Sequence, residues 1–294
     1  MRFWLALISI IPLVTFAGAA RASTRTNMED CQQMQEIDRS ISGCSKLTAD
    51  QSLAAPVRAV AYFDRGLAYY ARNDLDHAIA DWSEAIALNP DYAHAYNDRA
   101  KAYRAKGDYP RSIADYDRAI KLDPQHPIAY KGRGIAYFLS GDAAKALADF
   151  RQAENIEPDA YTLLWLDLAA RRDNQPFAIA PASKRVFMDG WPGPLVLMYG
   201  GQMTVHDVAV AAQNMDKKVT QGRLCDAYFY TGESMLLKDV KDQATALFQH
   251  AVSTCAKTVD EYSAAAAELK TLGKPLEAQS QGAEQKAERA KPSP

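Results

Sequence analysis

The stretch Ala61-Tyr62-Phe63-Asp64-Arg65-Gly66-Leu67-Ala68-Tyr69-Tyr70 decides the fold, because the chain repeats its pattern twice. It returns 34 residues later as Ala95-Tyr96-Asn97-Asp98-Arg99-Ala100-Lys101-Ala102-Tyr103-Arg104, then as Ala129-Tyr130-Lys131-Gly132-Arg133-Gly134-Ile135-Ala136-Tyr137-Phe138. A second pattern follows each copy in register. Its slots hold Ala78, Ser112 and Ala146; Trp82, Tyr116 and Phe150; Ala85, Ala119 and Ala153; Pro90, Pro124 and Pro158. A fixed period of this length marks a stack of supersecondary units, each unable to bury its apolar face alone. A small residue (Gly66, Ala100, Gly134) lets a second helix approach the first, and the aromatics fill the space around the contact. The prolines close each unit, since the residue before a proline disfavours helix. Asn73-Asp74, Gly107-Asp108 and Gly141-Asp142 read as the turns within each helix pair.

This pattern resembles the tetratricopeptide repeat family. The resemblance implies an all-α solenoid, an alpha-alpha superhelix of antiparallel helix hairpins. It implies binding of a protein or peptide rather than chemistry. The repeats are expected at 59–92, 93–126 and 127–160, within a block over 58–158. A fourth copy is expected at 225–258, with Tyr228, Gly232 and Met235 on its first helix and Ala244, Phe248 and Ala251 on its second. The family's inner-face slots fall on Val60, Phe63, Leu67 and Tyr70 in the first repeat. They fall on His94, Asn97, Lys101 and Arg104 in the second, and on Ile128, Lys131, Ile135 and Phe138 in the third. The groove they imply is apolar at its ends and basic in its middle. It suits an extended or helical segment with apolar and acidic groups. The first repeat offers no Lys, Arg or Asn at these slots, which disfavours a clamp for carboxylate tails.

Arg65, Arg99 and Arg133 recur 16 residues before Asp81, Asp115 and Asp149. The recurrence reads as a ladder of ion pairs, within a hairpin or across to the next. The sharper alternative is a row of arginines holding a ligand.

The flanks differ from the block. Residues 1–22 read as a signal peptide, with Arg2, an apolar stretch over Phe3 to Phe16, and small residues at Gly18, Ala20 and Ala22. Cleavage fits after Ala20 or after Ala22, the latter favoured by Ala20-Arg21-Ala22. The apolar stretch is short for a spanning helix, which needs about 20 residues, and no lipidation cysteine closes it. Export to the periplasm or beyond is expected, with no stable membrane insertion after cleavage. Residues 23–57 read as capping helices, loose and polar over Ser23 to Glu29. Residues 161–224 form an irregular joint, its breaks concentrated around Pro176, Pro181, Gly190, Trp191 and Pro192. Within it, Leu195 to Met203 is expected to hold a helix leading to a turn at Gly200-Gly201, and 205–215 to be helical. Residues 259–273 read as a capping helix and 274–294 as a disordered tail rich in Glu, Lys, Ala and Pro.

The four cysteines, Cys31, Cys44, Cys225 and Cys255, form an even set in an exported chain. Local spacing favours Cys31–Cys44 and Cys225–Cys255. The first pair would need a fold-back near Asp38-Arg39, since one straight helix would hold them about 20 Å apart. They are too widely spaced for a metal site. Histidines 77, 94, 126, 206 and 250 are scattered, and His77 and His126 read as surface residues. No glycine-rich phosphate loop is present. The net charge of −2 gives no nucleic-acid footprint. No cofactor, metal or catalytic residue is implied.

Beyond the repeats, Trp165…Arg171-Arg172, Trp191-Pro192 and Tyr228-Phe229-Tyr230-Thr231-Gly232-Glu233 resemble exported tetratricopeptide proteins of alpha-proteobacteria. These are distantly similar to an envelope lipoprotein adaptor for peptidoglycan hydrolases and proteases. The resemblance implies a periplasmic scaffold whose partners include cell-envelope enzymes. The alternatives are a permanent structural subunit of an envelope complex and, less favoured, an enzyme.

Overall fold

The structure is a computed structural model that describes residues 14–33, 35–175, 179, 183–186 and 189–274. The described residues are all α, with no strand, and form a solenoid of antiparallel helix hairpins. Contacts divide the chain into two units, 1–95 and 96–294. Most of the leader read at 1–22 and the tail at 274–294 lie outside the described residues.

The first unit holds α1 (Val14–Cys31), α2 (Ile37–Ala49), α3 (Ala55–Ala71) and α4 (Leu75–Leu88). Ser23 to Glu29, expected to be loose, lie inside α1. The fold-back that brings Cys31 to Cys44 lies between the end of α1 at Cys31 and the start of α2 at Ile37, before Asp38-Arg39. Close packing at the end of α1 places it there. A Cβ on Gly43 would lie 2.6 Å from the Cys31 nitrogen, so only glycine lets α2 come this near. Ser40 donates its hydroxyl to the Cys31 carbonyl at 2.6 Å, satisfying one orphan acceptor of the helix end. The Cys31 and Cys44 sulfurs then stand 2.03 Å apart, with their α-carbons at 4.6 Å.

In the α3–α4 hairpin, a Cβ on Gly66 would meet the Trp82 ring at 2.6 Å. The missing side chain thus makes room for the indole, whose Nε1 donates to the Phe63 carbonyl at 3.2 Å. The turn follows from two residues. Asn73 adopts φ 61°, and Asp74 accepts the His77 N–H at 3.3 Å as the N-cap of α4. Gly107 (φ 76°) with Asp108 and Gly141 (φ 90°) with Asp142 repeat the device in the second unit.

Helix α5 (Ala93–Ala105) contains the division between the units. The second unit continues with α6 (Tyr109–Leu122), α7 (Pro127–Leu139), α8 (Ala143–Ile156) and α9 (Ala160–Arg172). After the joint come α10 (Gly193–Tyr199), α11 (Val205–Ala211), α12 (Lys217–Leu237), α13 (Lys241–Thr254) and α14 (Asp260–Thr271). The first joint helix ends at the expected Gly200-Gly201 turn, and the second ends at Ala211, short of the expected 215. Thr204 and Asp207 close a capping box at the start of α11. The fourth hairpin starts earlier than Cys225, because Asp216 caps α12 by accepting the Lys218 and Val219 N–H groups. Inside that hairpin a Cβ on Gly232 would lie 2.6 Å from Phe248, as Gly134 does at 2.7 Å from Phe150.

Helix α9 is the axis of this unit. Trp165 is 1% exposed and has the rings of Phe138, Phe150, Phe229 and Tyr230 around it at 5.4, 6.1, 5.5 and 6.2 Å. Burying a tryptophan contributes roughly 4–6 kcal/mol before entropic costs, at about 25 cal/mol per Å². Tyr161, Leu164, Trp165, Leu168 and Ala169 recur at helical spacing as one apolar face, but the helix buries more than that face. Residues 162–170 are buried all round, because repeats precede the helix on one side and α12 covers another.

Candidate functional site

The inner-face residues fall into two groups. In the first unit Val60 is 45% exposed, with Phe63, Leu67 and Tyr70 half-buried beside it. Phe63 packs on Tyr92 at 4.9 Å and Tyr70 on Trp82 at 5.9 Å, so the rings are supported from beneath. Val60 borders a cavity of about 310 Å³ with Met28, Leu47, Val57 and Asp64. Burial pushes the Asp64 carboxyl up to about 6. His94 is exposed.

In the second unit the expected groove is largely occupied. Asn97, Arg104, Ile135 and Phe138 are 7%, 3%, 1% and 2% exposed, and Phe138 borders a cavity of about 360 Å³ with Arg172 and Glu268. Helix α14 packs against α7, α12 and α13 and brings Asp260 onto the Arg104 guanidinium, while Trp165 and Arg172 of α9 cover Phe138. Ala264, Ala265 and Leu269 of α14 are at most 1% exposed, which makes the helix part of the core. Lys101 is half-buried, Lys131 pairs with Asp159 at 3.0 Å, and Ile128 is 56% exposed. A repeat pattern read locally does not register a helix returning from 260–271 to Arg104.

The arginine row is consumed by the ladder. Arg65 binds Asp81 through two nitrogens at 2.8 and 2.8 Å, Arg99 binds Asp115 at 2.7 and 2.8 Å, and Arg133 binds Asp149 at 2.8 and 2.7 Å. All three pairs are within a hairpin. Arg133 also reaches Asp117 of the preceding hairpin at 2.5 Å. Hydrogen bonding to Asp149 raises the Arg133 pKa, while burial raises that of Asp149 against the pull of Arg133. Such half-buried pairs orient helices more than they stabilise them. The fourth hairpin has Thr231 and Leu247 at these slots and carries no such pair.

Two polar clusters escaped the sequence reading. In one, Arg172 binds Glu233 at 3.1 Å, binds Glu268, and lies 3.8 Å from the Phe138 ring centre. Burial, against the pull of Arg172, pushes Glu233 up to about 7. In the other, Asp226 accepts from the Tyr161 hydroxyl at 2.8 Å and from Trp191 Nε1 at 2.7 Å. Tyr230 donates to Glu261 at 3.3 Å, and burial with Asp226 nearby pushes Glu261 up to about 8. Both carboxylates line a cavity of about 570 Å³ next to the Cys225–Cys255 sulfurs, which are 2.11 Å apart. The pairing of Trp191 with Asp226 spans 35 residues, and no periodicity signals it.

His126 is 8% exposed, not at the surface, because the turn before Pro127 folds it inward as the N-cap of α7. His77 and His250 stack on Tyr69 and Tyr228 at 4.9 and 5.1 Å. Among the described residues no three His, Cys, Asp or Glu side chains gather as metal ligands, and no helix is long and apolar enough to cross a membrane.

Hairpins with a small residue facing an aromatic, stacked at a period of 34, define an αα-hairpin repeat protein. Residues 63–127 and 97–161 match the tetratricopeptide repeat family, about a third of the chain. A tetratricopeptide repeat protein from Parabacteroides merdae ATCC 43184 superposes with a TM-score of 0.58 at 14% identity, over 84% of this chain and 99% of that one. The MamA protein gives a TM-score of 0.47 at 21% identity, over 55% of this chain and 87% of that one. The first repeat domain of Spaghetti (RPAP3), bound to an HSP90 peptide, gives 0.40 at 21% identity, over 41% and 96%. No curated protein sequence matches the chain significantly.

Proposed function

We propose that this chain is a non-catalytic scaffold of the periplasm that holds a segment of a partner protein, with cell-envelope enzymes as the expected partner class. The observation that carries the reading is the open face of α3. Val60 is 45% exposed there, beside Phe63, Leu67 and Tyr70, and it borders the 310 Å³ cavity. Exposed apolar side chains backed by a rigid hairpin suit an apolar segment of a partner. Two disulfides within one chain favour an oxidising compartment. A basic residue in the partner segment would complement Asp64, which differs from the acidic partner suggested by the slots of the second repeat.

The test is crosslinking in the intact envelope, followed by identification of captured proteins, for wild type and for Val60→Glu. The substituted position is exposed, so folding is unaffected and capture falls at least tenfold. An unchanged set of captured proteins with Val60→Glu overturns this binding face. Absence of the protein from an osmotic-shock extract overturns the periplasmic location.

A further inference from the structure

We propose that the cavity bounded by Tyr161 of α9, Trp191, the first half of α12 and the start of α14 is a binding site for an alkylammonium group, received by Asp226 and Glu261. This goes beyond the scaffold reading and uses a different unit of the chain. The cavity's volume of about 570 Å³ lies within the range of about 300–1,000 Å³ typical of small-molecule sites. Its interior holds two carboxylates, each 8% exposed. Asp226 receives only neutral donors, the Tyr161 hydroxyl and the Trp191 indole, and both act on the same oxygen, Oδ2. Its Oδ1 accepts no hydrogen bond among the described residues, and Asp226 lines the cavity. Glu261 has the neutral Tyr230 hydroxyl and its own backbone N–H.

A buried carboxylate without a cation is costly, and it is relieved either by a proton or by a positive ligand. The charged neighbours do not supply that relief. Asp260 on α14 is committed to Arg104. Arg223 on α12 donates to the Ala211 carbonyl at 3.5 Å and lies 5.9 Å from the Trp191 ring centre. Lys218 is exposed at the rim. Lys101 and Lys131 border Glu261 from a second cavity of about 250 Å³, and Lys131 is paired with Asp159. Arg223, Lys218 and Lys131 form no ion pair with Asp226 or Glu261 among the described residues.

The walls add a second term. Tyr161 and Trp191 border the same space, and the faces of such rings attract cations. A bound ammonium would replace the proton that burial keeps on Glu261 at neutral pH. Binding therefore releases a proton and strengthens from pH 6 to pH 8. The ammonium group has two natural sources, a small free amine or a lysine side chain of a docked protein.

Titration calorimetry on the full chain distinguishes them, with n-butylammonium chloride, a short lysine-bearing peptide and the same peptide acetylated at the lysine nitrogen. The amine is expected to bind with heats that depend on the buffer's own ionisation, as proton release requires. Asp226→Asn and Glu261→Gln, each nearly isosteric, are each expected to weaken it at least tenfold. A peptide that binds tenfold more tightly than the amine, and loses this on acetylation, supports the site with a protein lysine as its source. Equal binding of amine and peptide supports it with a free amine. No binding of either by wild-type protein overturns the proposal, as does equal binding by either folded variant.

Discussion

The Arg104 guanidinium, 3% exposed, is paired with Asp260, 156 residues further along the chain. It also donates to the Gly132 carbonyl at 3.3 Å. This pair fastens the start of α14 over the inner side of α5 and α7. An arginine that a repeat pattern assigns to ligand binding is thereby spent on the chain's own last helix. Removing the carboxylate leaves the guanidinium buried: in Asp260→Ala it keeps the Gly132 carbonyl but loses this anionic partner. The expected loss is about 3 kcal/mol in urea unfolding, the low end for broken buried pairs because Asp260 retains some exposure. Adding Arg104→Met to Asp260→Ala should restore part of it, giving a non-additive double-mutant cycle. Strict additivity would mean the pair contributes no coupling.

Two glycines on α12 give opposite expectations for the same substitution. Alanine improves helix propensity by about 1 kcal/mol over glycine. At Gly222 a new Cβ meets nothing within 4 Å, so Gly222→Ala should stabilise by up to about that amount. At Gly232 the new Cβ would sit 2.6 Å from Phe248, a fully buried ring with no free space to move into. Overpacking of this kind costs about 1–3 kcal/mol, so Gly232→Ala should destabilise. Chemical denaturation of both variants measures the two signs directly.

The same contrast shows what was legible beforehand. Gly66 with Trp82 and Gly134 with Phe150 are 16 residues apart, inside one hairpin, so one period of sequence contains both sides of the contact. The N-cap aspartates 74, 108 and 142 are local in the same way. Arg104 with Asp260, Arg172 with Glu268 and Trp191 with Asp226 join segments that no period links. The residue types at those positions look like ordinary surface charge until the helices are placed. The fold-back expected near Asp38-Arg39 lies closer to Cys31 for a related reason: Gly43 and Ser40 determine where the helices meet.

Stability should fall as pH rises through neutrality. Burial lifts Glu233 to about 7 and Glu261 to about 8, above their unfolded values near 4.5. The folded protein therefore holds these protons more tightly than the unfolded chain. Their contribution is fully present below about pH 4.5 and is lost as pH rises toward 8. The N-cap carboxylates of Asp74, Asp108 and Asp142 act oppositely, since hydrogen bonds to His77, Arg111 and Lys145 lower their pKa values. Thermal unfolding should thus show highest stability in mildly acidic buffer and a decline between pH 6 and 9. Glu261→Gln should flatten the upper part of that decline. A melting temperature that increases across this range would contradict the burial assigned to both groups.

Each disulfide closes a local loop, and each unit contains one. The separations are 13 residues for Cys31–Cys44 and 30 for Cys225–Cys255. Loop-closure entropy assigns about 3 kcal/mol to the first and about 3.5 kcal/mol to the second. The Cys225–Cys255 link also holds the end of α13 beside α12, at the wall of the 570 Å³ cavity. Cys255→Ser should therefore loosen the cavity as well as the hairpin, with faster amide exchange at the end of α13 and the start of α14. Cys44→Ser should leave exchange in those helices unchanged and act only within 1–95. Intact mass of the unreduced protein should show no alkylatable thiol, and reduction should add four hydrogens. Four thiols reacting without reductant would remove both links, and with them the support they give to an oxidising compartment.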